Sequence, residues 1–267
     1  DSFYAGEDIF ADKEEIKLEP NQYVMLVSNS NDKKTALARF YNYNDPLVKM
    51  YKMENIWGID ARNKEQSFAL ELLMDPDVEV VSLIGQAGSG KTLLAVAAGL
   101  EQVLGDDNEY KKLIVSRPIQ PLGKDIGFLP GTLEEKMDPW LMPIKDNLEF
   151  LLGNDRDTVK MYFEKGVIEI EAITYIRGRS ITNAFIIIDE AQNLTRHELK
   201  TILTRVGEGT KIILTGDIEQ IDNIYIDETS NGLTYAVEKF KEYDISGHIT
   251  LQKGERSKVA TLAAKIL

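Results

Sequence analysis

The stretch "VEVVSLIGQAGSGKTLLAVAAGLEQVL" runs from Val78 to Leu104 and changes texture twice. Val78 to Ile84 is a short apolar run, the mark of a strand buried on both faces. Thr92 to Leu104 is a helix-forming run that stops at Gly105. Between them lies "GQAGSGKT", residues 85–92, which fits G-x-x-x-x-G-K-[ST] in the setting that pattern requires, after a strand and opening a helix. Glycines let the backbone curl so that successive N–H groups and the helix N-terminus aim at phosphate oxygens. On that reading Gly85, Gln86, Ala87, Gly88, Ser89 and Gly90 cradle a triphosphate. Lys91 then reaches its β- and γ-phosphates, and the Thr92 hydroxyl holds Mg2+. A chance glycine turn of this form arises in roughly one chain in a hundred of this length, and the correct flanks make it rarer.

Outward from this stretch, further apolar runs alternate with helical ones. The strand candidates are "KLIVS" (112–116), "VIEIEAI" (167–173), "FIIID" (185–189), "KIILT" (211–215) and "HITLQ" (248–252). "TRHELKTILTRV" (195–206) places Leu199, Ile202, Leu203 and Val206 at helical spacing. Such alternation implies an α/β fold, a mostly parallel sheet covered on both faces. Residues 1–60 differ: "QYVMLVS" and "TALARFYNY" are separated by "NSND" and "NDP", which reads as small β-structure with turns at Asn, Asp and Pro. The expected organisation is therefore a β-rich accessory region over 1–60 and a P-loop domain over 61–267, with no internal repeat.

"FIIIDEAQN" (185–193) drives an apolar run into two adjacent acids. At a strand end near a P-loop, Asp189 can orient the Mg2+ shell. Glu190 then projects toward the γ-phosphate, where a carboxylate can orient and deprotonate an attacking water. The alternative is that Glu190 caps or pairs at the start of the following helix. "LTGDIEQID" (214–222) supplies another strand end, then Gly216, Asp217 and Gln220. A Gln amide both donates and accepts, so Gln220 can touch a γ-phosphate oxygen and the lytic water together. The alternative there is an ordinary Gly-Asp turn.

Composition narrows the field. Hydrophobic residues make up 43% and charged residues 28% of the 267 positions, a soluble globular composition. The 31 basic and 44 acidic residues give a net charge of −13, which counts against a surface coated for nucleic acid. Residues 1–20 hold seven acids against Lys13 and Lys17, so part of the deficit is local. There is no Cys, which excludes disulfides, thiolate nucleophiles and Cys-based zinc sites. His197 and His248 are too few for a metal cluster and read as a helix-face and a strand residue. No apolar run approaches the roughly 18 residues of a membrane span, and no secretory signal is visible, so the expectation is cytoplasmic with no membrane partner. The chain opens at Asp1 rather than Met, which is expected of a fragment whose upstream domain is missing.

Together, "GQAGSGKT", "DEAQN" and "GDIEQ" in this order resemble the first RecA-like domain of superfamily 1 helicases. More closely, the chain resembles the PhoH-like family of ATPases. The supporting blocks are "WGIDARNKEQ" (57–66), "SRPIQPLGKDIGFLPGTLEEKMDPWLMPI" (116–144), "RGRSITNAFIIIDEAQN" (177–193) and "ERSKVATLAAKIL" (255–267). The resemblance implies a RecA-like P-loop ATPase over about residues 57–267 and ATP with Mg2+ as ligands. It places Gln66 where an adenine-recognising glutamine sits, against the alternative of a helix-surface residue. It places Arg256 where an arginine reaches the γ-phosphate in cis or from a neighbour, against that of a surface arginine. Arg117 of "SRP" stands where it can touch nucleic acid or nucleotide, or pair with an acid. The first sixty residues resemble the connecting segment of longer members that carry an upstream PIN ribonuclease domain.

About 200 residues after Gln66 suffice for one RecA-like lobe, so either a neighbour supplies the second wall of the site or the motor is incomplete; the resemblance implies a homo-oligomeric ring, a hexamer favoured. Single-stranded RNA is the expected polymer, remodelled or unwound, with Tyr175, Arg177 and Arg179 as contacts suited to phosphate and base stacking. A solvated turn is the bland alternative for that cluster. Two other functions compete: a phosphotransferase acting on a small acceptor, and a nucleotide-gated interaction module without turnover. A GTPase is disfavoured because no N-K-x-D follows the P-loop.

Overall fold

The computed structural model describes residues 2–106, 108–118, 133–173 and 180–252. Three short strands, β1 (Gln22–Val27), β2 (Thr35–Phe40) and β3 (Val48–Lys49), form an antiparallel sheet in that order. All six apolar runs that follow are strands as well: β4 (Val80–Gly85), β5 (Lys112–Arg117), β6 (Ile168–Ala172), β7 (Ala184–Ile188), β8 (Lys211–Gly216) and β9 (Ser246–Leu251). They make one sheet, in the order β6-β5-β7-β8-β4-β9, and every neighbouring pair is parallel.

Two-sided burial explains the apolar runs. Along β7, Phe185 and Ile187 join one core cluster while Ile186 and Ile188 join the other, so each alternation of the pleat meets a packed layer. The first layer contains α1 (Lys64–Met74), α2 (Lys91–Leu104) and α3 (Leu133–Leu151), followed by α4 (Arg156–Glu164). The second contains α5 (Arg196–Leu203) and α6 (Gly232–Phe240). A capping box starts α5: the Thr195 hydroxyl accepts from Glu198 N while the Glu198 carboxylate accepts from Thr195 N. The helix ends at Leu203, one turn earlier than expected, and Val206 instead bridges Ile181.

The small sheet is fastened to the large one by buried polar contacts. Asn21, at φ 63°, donates through Nδ2 to Asp244 O (2.6 Å) and Ser246 O (2.7 Å). Its Oδ1 accepts from Arg39 Nη2 at 2.6 Å, and Arg39 pairs in turn with Asp75 at 2.7 Å. Tyr23 stacks on Phe68 of α1 with ring centroids 4.4 Å apart. Below the sheet, Lys211 at the start of β8 is fully buried and donates to Leu72 O (2.8 Å) and Asp75 O (2.6 Å) at the end of α1. Burial pushes its pKa down to about 7. His197 is an exposed residue of α5 and His248 lies in β9, where burial lowers its pKa.

Candidate nucleotide site

In an open parallel sheet the carboxyl ends of the strands form the crevice where ligands bind. Here β4 ends at Gly85, β5 at Arg117, β7 just before Asp189, and β8 at Gly216 followed by Asp217. The P-loop therefore opens from β4 into α2, as the sequence pattern requires. Gly90, the residue before α2, sits at φ 92° and ψ 4°. A side chain there would be strained, and its Cβ would come within 3.1 Å of Gln66 Nε2. Gln66 is thus 5% exposed rather than on a helix surface. Its Nε2 donates to Ser89 O (3.0 Å) and its Oε1 accepts from Arg62 N (2.9 Å), which ties α1 to the loop. Lys91 is 8% exposed, and its ammonium donates to Gly85 O (2.5 Å) and Gln86 O (3.0 Å).

The acids of β7 stand two strands away from the P-loop strand, with β8 between them. Two strand spacings amount to roughly 10 Å. Two hydroxyls close that gap onto one carboxylate oxygen. Asp189 Oδ1 accepts from Thr92 Oγ1 at 2.7 Å and from Thr215 Oγ1, at the end of β8, at 2.6 Å. Asp189 is 3% exposed, so both bonds operate in a dry setting.

Glu190 adopts φ 54° and ψ 39° as the chain leaves β7 for the one-turn 3-10 helix Ala191–Asn193. A left-handed backbone is uncommon for Glu and turns its side chain away from the strand direction. It makes no side-chain capping bond. Its Oε2 accepts from Gln192 Nε2 at 2.5 Å, and Oε1 lies 3.6 Å from Arg117 Nη2. Arg117 Nη1 is 3.6 Å from Asp189 Oδ2, so one guanidinium faces both acids; of its two sequence alternatives, acid pairing is what the structure contains.

Gln192 was not singled out by sequence. It is fully buried and makes three contacts: Nε2 to Glu190 and to Gln220 O (2.9 Å), with Oε1 accepting from Asp217 N (3.2 Å). Asp217 Oδ2 in turn accepts from Ala87 N in the P-loop at 3.0 Å, and Gln86 Nε2 donates to Glu219 at 3.0 Å. Gln220 enters this network through its backbone carbonyl, while the residue itself is exposed. Gln192 and Asp217 lay inside the quoted motifs "DEAQN" and "GDIEQ"; only the pairing of strands reveals what they touch. Tyr175, Arg177, Arg179 and Arg256 lie outside the described residues.

A cavity of about 750 Å³ runs from the P-loop past Glu190 to the 58–62 segment and α3, within the size range of nucleotide-class ligands. Thr92 and Asp189 are hard oxygen donors of the kind Mg2+ takes alongside phosphate oxygens and water. Among the described residues no three His, Cys, Asp or Glu converge on a metal position.

The sequence-family comparison gives the matching answer. A family model described as "PhoH-like protein" matches residues 58–266. The chain belongs to the PhoH-like family. Within it, the chain is similar to Protein PhoH2 of Bacillus subtilis, 52% identical over 270 residues that cover 100% of this chain and 61% of the relative. Protein PhoH2 of Mycolicibacterium smegmatis is 41% identical over 213 residues, covering 79% of this chain and 48% of the relative. The chain thus spans about half to three fifths of the length of these relatives. Among solved structures, a Pif1 helicase from Candida albicans aligns with a TM-score of 0.39 at 16% identity, over 78% of this chain and 43% of that one. The PhoH-like chain is a nucleotide-binding P-loop protein with an all-parallel sheet, and no helix among the described residues is long and apolar enough to cross a membrane.

Proposed function

We propose that this PhoH-like chain hydrolyses ATP and couples turnover to single-stranded RNA. The observation that carries the reading is the convergence of Lys91, Thr92, Asp189 and Glu190, from two strands, at one end of the sheet. Lys91 exchanges its two carbonyl partners for β- and γ-phosphate oxygens, beside the N–H groups of residues 85–92 at the α2 N-terminus. Thr92 and Asp189 would hold Mg2+, which when bound neutralises charge on the β- and γ-oxygens.

Glu190 supports hydrolysis over transfer to another acceptor. Its carboxylate borders the cavity beside Lys91 and Thr92, and Gln192 and Arg117 restrain its two oxygens. It takes the proton of a water whose oxygen bonds to the γ-phosphorus as the bridging bond to ADP breaks. Gln220 serves as sensor of the γ-phosphate, and Arg256 places a guanidinium on it in cis or from a neighbouring copy. Gln66 retains one N–H and one lone pair beyond its two protein bonds, enough to read the N6–N7 edge of adenine.

The wider assignment rests on the family resemblance. In it the chain forms a homo-oligomeric ring, a hexamer favoured, in the cytoplasm. Tyr175, Arg177 and Arg179 contact RNA that the ring remodels or unwinds. Residues 1–60 are an accessory region, 61–267 the ATPase domain, and a PIN ribonuclease domain lies upstream in the full-length protein.

The test is phosphate release from ATP with Mg2+, with and without single-stranded RNA, for the wild type and Glu190→Gln. Turnover should rise with RNA and fall by about a hundredfold or more in the variant, with ATP still bound. Equal turnover in both proteins removes Glu190 as base. Failure of RNA to bind or stimulate removes the coupling. Light scattering that finds only monomer, with and without ATP, removes the ring.

A further inference from the structure

Resting on the nucleotide reading above, we propose that the base lies in a slot between the Gly58–Arg62 loop and the last turns of α3, with Phe150 stacking on it and Asn147 selecting adenine over guanine. One cavity is lined by the P-loop, by Ile59 and Arg62 of the loop, and by Asn147 and Phe150 of α3. No sequence motif marked the α3 residues.

The loop wall is a built feature. At its start and just before it, three residues have positive φ: Asn55 (55°), Trp57 (47°) and Gly58 (77°). For Trp that conformation is strained, and it persists only when the surroundings fix it. They do so from several sides. Ile56 and Ile59 exchange backbone bonds of 3.0 and 2.9 Å, and Asn55 N donates to the Asp60 carboxylate at 2.8 Å. Trp57 N donates to Glu101 of α2 at 2.9 Å, and Trp57 Nε1 donates to Leu151 O at 3.0 Å. The last bond fastens the loop to α3 at the residue after Phe150, which fixes the spacing between the two walls.

On α3, Asn147 and Phe150 are three residues apart and share a helix face. Phe150 is 57% exposed at the cavity rim, an aromatic surface that a purine can cover. Asn147 Nδ2 donates to Pro143 O at 2.9 Å. A carbonyl only accepts, so that bond assigns the amide: nitrogen faces back along the helix, and Oδ1 is the acceptor at the other end. The 6-amino group of adenine donates to such an oxygen, whereas the 6-oxygen of guanine presents a second acceptor and is rejected.

Calorimetric titration of the full chain with ADP, GDP and inorganic tripolyphosphate, each with Mg2+, tests the slot. Phe150→Ala should weaken ADP about tenfold, the scale of a lost aromatic stack, and leave tripolyphosphate within about twofold of wild type. Phe150→Tyr, which keeps the ring, should restore wild-type ADP affinity. Asn147→Leu should narrow the ADP-over-GDP preference by about tenfold. The slot is refuted if Phe150→Ala binds ADP as wild type does, if it loses ADP and tripolyphosphate alike, or if Asn147→Leu keeps the wild-type ratio. If the wild type binds neither ADP nor tripolyphosphate, the nucleotide site itself falls and the slot with it.

Discussion

Replacing Lys211 with Met should alter how stability depends on pH, in a direction the structure fixes. Lys211 is fully buried, and burial lowers its pKa from 10.5 to about 7. In the unfolded chain the ammonium keeps its proton until the ordinary lysine range. Between the two values the unfolded state therefore binds more protons than the folded one, and this group's contribution to stability rises with pH. Each unit is worth about 1.4 kcal/mol, so the rise from about pH 7 to pH 9 is roughly 2–3 kcal/mol. Below about pH 7 the ammonium is charged in both states, the burial cost is fully present, and the contribution is flat. Met keeps the length of the side chain and cannot titrate. Urea unfolding of both proteins from about pH 6 to pH 9 isolates the effect, since other groups cancel in the difference. The wild type should gain on Lys211→Met by roughly 2 kcal/mol above neutrality. A difference that stays constant over the range refutes the reasoning and means that Leu72 O and Asp75 O hold the ammonium charged throughout.

Three other substitutions address the joints of the fold. In Gly216→Ala the new Cβ would meet Leu233 Cδ2 at 2.5 Å and Gln192 Oε1 at 2.6 Å, so the variant should lose about 1–3 kcal/mol and much of its ATP turnover, read by thermal melting and phosphate release. Thr195→Ala removes the capping box of α5 and should cost about 1 kcal/mol in chemical denaturation, with nucleotide affinity unchanged. Asn21→Ala deletes the amide that bridges Arg39 to Asp244 O and Ser246 O; it should cost about 2–3 kcal/mol and speed proteolytic release of the small sheet. Cleavage at the wild-type rate would mean that the stacked Tyr23 and Phe68 suffice to hold it.

The large sheet was legible because burial on both faces writes a short unbroken apolar run rich in β-branched residues, as in Phe185–Ile188, whereas the apolar run of α2, Leu93–Ala98, is rich in Ala and Leu. The strand–loop–helix setting of residues 85–92 and the two acids at the end of β7 were legible because motifs of that kind constrain residue type and spacing. What escaped depends on strands meeting in space. Gln192 and Asp217 touch only because β7 pairs with β8, with Ile188 opposite Leu214, and no spacing within either strand encodes that. Helix α3 escaped for a different reason. Pro139 and Pro143 punctuate its sequence as a turn would, yet the helix continues through both. Gln66 looked equally suited to a surface because its burial is imposed by the P-loop crossing above it, not by the pattern of α1.

The contacts at the strand ends also decide how the site can respond to a ligand. Ala87 N is held by Asp217, Asp217 N by Gln192, and Gln192 holds both Glu190 and the carbonyl of Gln220. Gln192 and Asp217 are 0% and 4% exposed, so water cannot readily replace a lost partner. Leaving one such group unpaired costs about 1–3 kcal/mol. Ala87, Asp217 and Gln192 are thereby linked through consecutive hydrogen bonds, each of which is costly to leave unmade. The carboxylate of Glu190 lies at the end of this chain, gripped on its other oxygen side by Arg117. Its orientation is tied to the same hydrogen bonds that hold residues 85–92, which is why that loop and the Glu190 carboxylate belong to one network although they arise from strands two places apart.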